Sequence, residues 1–240
     1  GPARVEFDEV PAGEEFPVRV EAVVWQAGDD DDDDNGVPDS NQALADNDLT
    51  PNFGQEAAAE TVDLNRTLVA PAGDPGSLGG GQNIGDPNDQ AFSNGSIVAN
   101  GVSWDEVGII ELAATLSDGT YLTSDNVTGR APNVGRFIPA RLDATGNTPD
   151  FEPFCDGFTY LDQSFGYLTD PAITVTAYNA GGNATRNYGA GFWKLPVPAT
   201  RDYTDDSDSA ATLSVDTGSI AWNDGGNDGR DTQENSLARR

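Results

Sequence analysis

The chain has 240 residues, with 41 acidic against 12 basic side chains, a net charge of −29, no histidine and one cysteine. That charge repels nucleic acid and anionic membrane alike, so neither is expected as a partner. The missing histidine excludes Ser-His nucleophiles, imidazole acid–base work and His-ligated zinc, and the lone Cys155 excludes both an intramolecular disulfide and a Cys-rich zinc site.

Apolar content is 36%, low because Gly, Asp, Asn and Thr are abundant. Two cores of about a hundred residues each remain within reach of such a chain. There is no methionine, and the chain opens on Gly1-Pro2, as a piece cut from a longer protein would. No apolar run approaches the roughly 20 residues that span a bilayer, so no membrane insertion is expected within this segment.

The first strands are expected from Phe7 to Val24. A Pro-Ala-Gly turn interrupts FDEVPAGEEF, and Val18, Val20, Ala22 and Val24 then alternate with Arg19 and Glu21, which is the period of a half-buried strand. Ala27 to Thr50 reads as a long polar loop containing the run Asp29 to Asp34, closed by TPNFG. Glu60 to Pro71 is again strand-like, with Val62, Leu64 and Leu68 inward, and Ala72 to Gln90 reads as loop.

From Ala91 the pattern predicts two or three short strands, separated by Asn-Gly turns at Asn94-Gly95 and Asn100-Gly101. Ile110, Leu112 and Ala114 alternate next, and Asp118-Gly119 turns the chain into Thr120 to Leu122. GRAPNVGRFIP, Gly129 to Pro139, reads as a junction between modules. A second module follows from Phe151: FCDGFTYLDQSF, then ITVTAYNAGGNATRNYG, then GAGFWKLPVP. The tail from Arg201 is poor in apolar residues; ATLSVDTGSIAW gives one or two strands, and Asn223 to Arg240 is expected disordered or cut short.

Two segments share one plan. VRVEAVVWQAG from Val18 closes on TPNFG, and ITVTAYNAGG from Ile173 closes on TRNYG. Ala22 and Thr50 are 28 positions apart, whereas Ala177 and Thr185 are 8 apart. The chain therefore reads as a duplicated module whose first copy carries an insertion of about 20 residues, and the insertion holds the whole aspartate run. Short strands at this spacing predict an all-β chain of two tandem immunoglobulin-like β-sandwich modules, residues 1–130 and 131–240.

The aspartate run supplies the main candidate site. Asp31 to Asp39 fits D-x-D-x-N-G-x-x-D, which brings alternating oxygens to one point around a turn that Gly36 permits, as calcium requires. Asp31, Asp33, Asn35 and Asp39 are the expected side-chain ligands, with Val37 offering its carbonyl. Position 12 of the loop is Gln42 where an EF-hand needs Glu, so the site is not an EF-hand. The competing reading is a solvated loop extended by its own charge. A second acidic-glycine segment, Asn223 to Asp231, has glycine where a second carboxylate should stand.

No catalytic constellation stands out, and the chain is expected not to be an enzyme. Asp150, Glu152 and Asp156 flank an aromatic run and are the first choice for a glycosidase carboxylate pair. Lys194, the only lysine, raises an isopeptide bond, against the plainer reading of a lysine pointing outward from a strand. Of the four tryptophans, Trp104 and Trp193 sit in core-like contexts, and Trp25, beside the Asp loop, is the better sugar platform.

VGRFIPARLDATGN, FCDGFTYLDQSF and ITVTAYNAGGNATRNYGAGFWKL together resemble the MshQ-like proteins of the mannose-sensitive haemagglutinin type IV pilus system, closest over about residues 134–195. The resemblance implies an exported bacterial surface protein with a role in pilus assembly or adhesion, and other pilus or surface proteins as partners; glycans enter as partners through Trp25 and the Asp loop. It supplies no catalytic residue, and the Asp-rich insertion departs from its pattern. The expected function is a non-enzymatic extracellular adhesion or spacer module stabilised by calcium. The alternatives are a calcium-assisted carbohydrate-binding module and, behind it, a carbohydrate-active enzyme.

Overall fold

The computed structural model describes residues 9–30, 44–152, 166–169, 172–189, 192, 194, 221–223 and 230–234. The chain is an all-β sandwich protein; the helical elements bounded within these residues are single 3-10 turns at Ala27–Asp29 and Leu44–Asp46. Seven strands build the first copy: β1 (Val10–Pro11), β2 (Glu15–Glu21), β3 (Val62–Ala70), β4 (Leu78–Gly79), β5 (Ser96–Trp104), β6 (Gly108–Leu116) and β7 (Thr128–Ile138). One sheet has the order β1-β7-β6-β3 and the other β2-β5-β4.

Alternation decides which side chains fill the space between the sheets. On β6, Ile110, Leu112 and Leu116 are buried while Ile109 and Glu111 are only partly so, and on β5 the buried set is Ile97, Ala99, Val102 and Trp104. Phe16, Trp104 and Phe137 form the centre, with ring centroids 5.1 Å apart for Phe16–Phe137 and 5.0 Å for Trp104–Phe137 in an edge-to-face arrangement. The Trp104 indole N–H donates to the Pro75 carbonyl at 3.0 Å, so full burial leaves no polar orphan.

The second copy contributes β8 (Arg141–Gly146), β9 (Asp150–Phe151), β10 (Tyr167–Thr169), β11 (Ala172–Tyr178), β12 (Ala221–Asn223) and β13 (Arg230–Glu234). β9 and β10 pair with each other, and a four-stranded sheet has the order β12-β13-β11-β8. The antiparallel run β4-β5-β2 of the first copy thus corresponds to β12-β13-β11 of the second.

Three expectations are corrected. Gly129 to Pro139 is no junction: nearly all of it lies in β7, which pairs antiparallel with β6 and parallel with β1, so a division after residue 130 would cut a strand of the first sandwich. Its glycines and proline suggest a linker, but Val134 and Phe137 are core residues. Asn100-Gly101 is not a turn but an irregularity inside β5: register passes from Val18↔Ala99 to Phe16↔Val102, leaving Asn100 and Gly101 opposite Pro17 alone. Gly101 has φ +83°, a conformation suited to a bulge. Part of the tail is ordered as well, since Arg230–Glu234 forms an inner strand between β11 and β12.

Candidate functional site

The two copies close their β2 and β11 segments with the same hydrogen bonds. Thr50 N–H donates to the Ala22 carbonyl at 2.8 Å and Thr185 N–H to the Ala177 carbonyl at 2.9 Å. Val24 N–H donates to Asp48 at 2.8 Å, and Asn179 N–H to Asn183 at 2.9 Å. The isolated bridges Val23↔Leu49 and Tyr178↔Ala184 fall at matching positions too. The frame is common, and what differs is the chain it holds: Ala180 to Gly182 in the second copy, Trp25 to Asn47 in the first.

In the first copy the base of this insertion is pinned. Asn47 Nδ2 donates to the Val24 carbonyl at 3.0 Å and to Asp29 Oδ2 at 2.7 Å, tying the outgoing chain to the incoming one. Asp29 and Asp30 are buried, whereas Trp25 stands 50% exposed at the edge. The five expected calcium ligands Asp31, Asp33, Asn35, Val37 and Asp39 lie outside the described residues, between the two pinned ends. Among the described residues no three carboxylate, Cys or His side chains converge as a metal group.

In the second copy the closure grips the first module. Glu106, in the β5–β6 connection, is buried, and its carboxylate accepts three backbone N–H groups: Val107 at 2.8 Å, Arg186 at 2.8 Å and Asn187 at 3.1 Å. Burial pushes the Glu106 pKa up, against the opposing pull of these three donors, and the nearby Asp74 carboxylate adds to the rise. Asn187, fully buried, pairs both ways with the backbone of Asp74, and Arg186 Nη1 reaches Asp74 Oδ2 at 2.9 Å. Asn179 Nδ2 donates to the Asp105 carbonyl at 3.0 Å, and Ala180 N–H to the Ala12 carbonyl at 2.8 Å. A small apolar cluster of Ala12, Val107, Ala177, Tyr188 and Phe192 fills the joint.

Beside this joint lies a cleft of about 240 Å³, lined by Val107, Arg136, Phe137, Tyr188, Phe192 and Lys194 among others. The Arg136 guanidinium sits 4.6 Å over the Phe192 ring. Lys194 is exposed, with its backbone N–H directed to the Tyr188 hydroxyl at 3.4 Å. The remaining sequence candidates do not gather here. Asp150 and Glu152 are exposed near the β9–β10 hairpin, and Asp156, Cys155 and Trp193 lie outside the described residues. Of the second acidic-glycine segment, Asn223 ends β12 and Arg230 opens β13, with the residues between them outside the described set.

Sequence reasoning missed Glu106, Asp74 and the side-chain role of Asn187. Glu106 stands in WDEVG, an acidic pair in a turn, which solvation alone would explain. The available signal was the repeated Thr-x-Asn-aromatic-Gly closure, whose Asn has no role on an apolar strand face.

Two adjoining family models cover the chain: the second domain of DUF6701 matches residues 7–116 and the third domain of DUF6701 matches residues 106–239. The chain belongs to the DUF6701 family. The third-domain match begins at Glu106, the residue through which the first module holds the closure of the second, and both matches include β6. No curated protein and no solved structure matches the chain. No helix of this DUF6701 chain, among the described residues, is long and apolar enough to cross a membrane.

Proposed function

We propose that this pair of DUF6701 domains is a non-enzymatic extracellular spacer or adhesion segment of an MshQ-like, pilus-associated bacterial protein. The observation that carries the reading is the joint: Glu106, Asp74, Asp105 and Ala12 of the first module hold Arg186, Asn187, Asn179 and Ala180 of the second through direct hydrogen bonds. A joint of hydrogen bonds built around buried Glu106, Asn179 and Asn187 fixes orientation more strictly than apolar contact, because each misalignment strands a donor or an acceptor. That suits a segment whose task is to hold something at a set distance.

Within this reading the loop from Asp31 to Asp39 binds calcium and stiffens the insertion between its pinned ends. Calorimetric titration of calcium into the parent and into Asp31→Ala/Asp33→Ala tests the ion. A heat of binding lost in the double variant supports it, and no heat in the parent rejects it.

The spacer role is tested in a piliated bacterium by replacing the segment with an unrelated rigid pair of β-sandwiches of equal length. Restored surface attachment supports a spacer, and attachment restored only by the native segment supports adhesion. Unchanged attachment on deletion of the segment rejects both.

A second reading is favoured by one observation, the exposure of Trp25 beside the Asp loop: a calcium-assisted sugar platform. Binding on a glycan array that a chelator abolishes, and that Trp25→Ala also loses, would select it over the spacer.

A further inference from the structure

In the sheet that carries the closure, the correspondence between the copies runs through three strands and stops at one edge. In the second copy β11 has β13 on one side and β8 on the other; in the first, β2 has β5 on one side and, among the described strands, none on the other. The unmatched element is β8, the strand that directly follows the last strand of the preceding module, with only Pro139 and Ala140 between. Ala140 N–H donates to the Tyr178 carbonyl at 2.9 Å, so by alternation Thr174, Thr176 and Tyr178 turn their backbone groups toward β8. The matching residues of the first copy are Arg19, Glu21 and Val23. Ala22 N–H donates to Gly95 of the β5 side at 2.8 Å, which by the same alternation turns Arg19, Glu21 and Val23 away from β5.

The neighbouring surface tells the same story. Asn179 is 5% and Asn187 0% exposed because the first module covers them. Their counterparts Val24 and Asn52 lie open, Val24 at 42%; Trp25 is exposed too, as is its counterpart Ala180, whose N–H nonetheless reaches the first module. Where the second copy presents Asn179 and Ala180 to a polar joint, the first presents Val24 and Trp25, so the surface that would cover them is more apolar than the one around Ala12 and Asp105. Pro51 stands where Arg186 donates to Glu106 and has no N–H to give, so the carboxylate clamp is not repeated in full.

We propose that this face of the first copy receives a module preceding it in the same polypeptide. A strand of the connecting segment pairs antiparallel with β2 at Arg19, Glu21 and Val23, as β8 pairs with β11. The body of that module then seats on Val24 and Trp25. The numbering of the matched domains as second and third fits a module in that place. The inference holds whether the array serves as spacer or adhesin, and it does not depend on calcium.

The test compares amide hydrogen exchange in this 240-residue chain and in the natural chain extended N-terminally through the domain before it. Exchange at Arg19, Glu21 and Val23 is expected to slow by about 100-fold in the longer chain, with the central β6 amides unchanged. Acrylamide quenching of Trp25, isolated by difference against Trp25→Phe, is expected to fall in parallel. Val23→Pro in the longer chain, which removes one outward N–H, is expected to return Arg19 and Glu21 to fast exchange. Equal exchange in both lengths overturns the proposal, as does protection that survives Val23→Pro. Protection appearing in the shorter chain only as its concentration rises also overturns it, by naming a second copy as the occupant.

Discussion

The side chain of Asn187 pairs with the backbone of Asp74 in both directions: its Nδ2 donates to the Asp74 carbonyl at 2.7 Å, and its Oδ1 accepts the Asp74 N–H at 2.8 Å. The two residues are 113 positions apart and belong to different copies of the repeat. Asn187→Ala leaves both Asp74 groups without their partner in a partly buried setting. The expected cost is about 2–4 kcal/mol in chemical denaturation. Asn52→Ala, at the matching exposed position of the first copy, is expected to change stability by less than about 0.5 kcal/mol.

Glu106 gives the joint a dependence on pH. Its folded pKa is raised by burial above the usual carboxylate value of 4.5. Between that value and the raised one the folded chain keeps a proton that the unfolded chain releases. The stability this contributes is therefore present in acid and lost as pH rises through the folded pKa. Glu106→Gln removes the titration and sets an amide N–H₂ against one of three N–H donors. The gap in melting temperature between parent and variant is expected to be widest in acid and to narrow as pH rises, which a pH series of thermal melts reads directly.

Gly54, which closes the first copy, has φ +74°, and a Cβ there would stand 2.9 Å from the Phe92 Cβ. Gly119 has a similar φ of +78° with nothing within 4 Å. Gly54→Ala thus combines backbone strain with a clash against a buried ring and is expected to cost about 2–4 kcal/mol, whereas Gly119→Ala costs about 1 kcal/mol from the backbone alone. Paired denaturation curves measure the difference.

The shared frame also predicts that the insertion is dispensable for folding. Replacing Trp25 to Asn47 by Ala-Gly-Gly, the turn of the second copy, keeps the bonds Thr50–Ala22 and Val24–Asp48 and removes the Asn47 staple along with what it ties. Stability is expected to stay within about 1 kcal/mol, since closing a shorter loop offsets the lost contacts. The same variant is expected to bind no calcium.

Much of this architecture was legible because alternation and repetition act locally. Val18, Val20 and Ala22 announce β2, and the Ala22–Thr50 and Ala177–Thr185 intervals locate one insertion on a common frame. Gly129 to Pro139 reads as a junction because Gly129, Pro132 and Gly135 are linker-type residues, while the pairing of β7 with β1 and β6 depends on strands distant in sequence. Glu106 was not legible either. A buried carboxylate is marked by the N–H groups around it, and those come from Arg186 and Asn187, some eighty residues away.

We expect the two copies to tumble as one rigid piece, locked through Glu106 and Asn187. Backbone ¹⁵N relaxation, comparing the β5–β6 amides with those of β8 and β11, measures this. One shared rotational correlation time is predicted for both groups, splitting into two in Glu106→Ala/Asn187→Ala with each group still folded. Separate correlation times in the unaltered chain would contradict the claim.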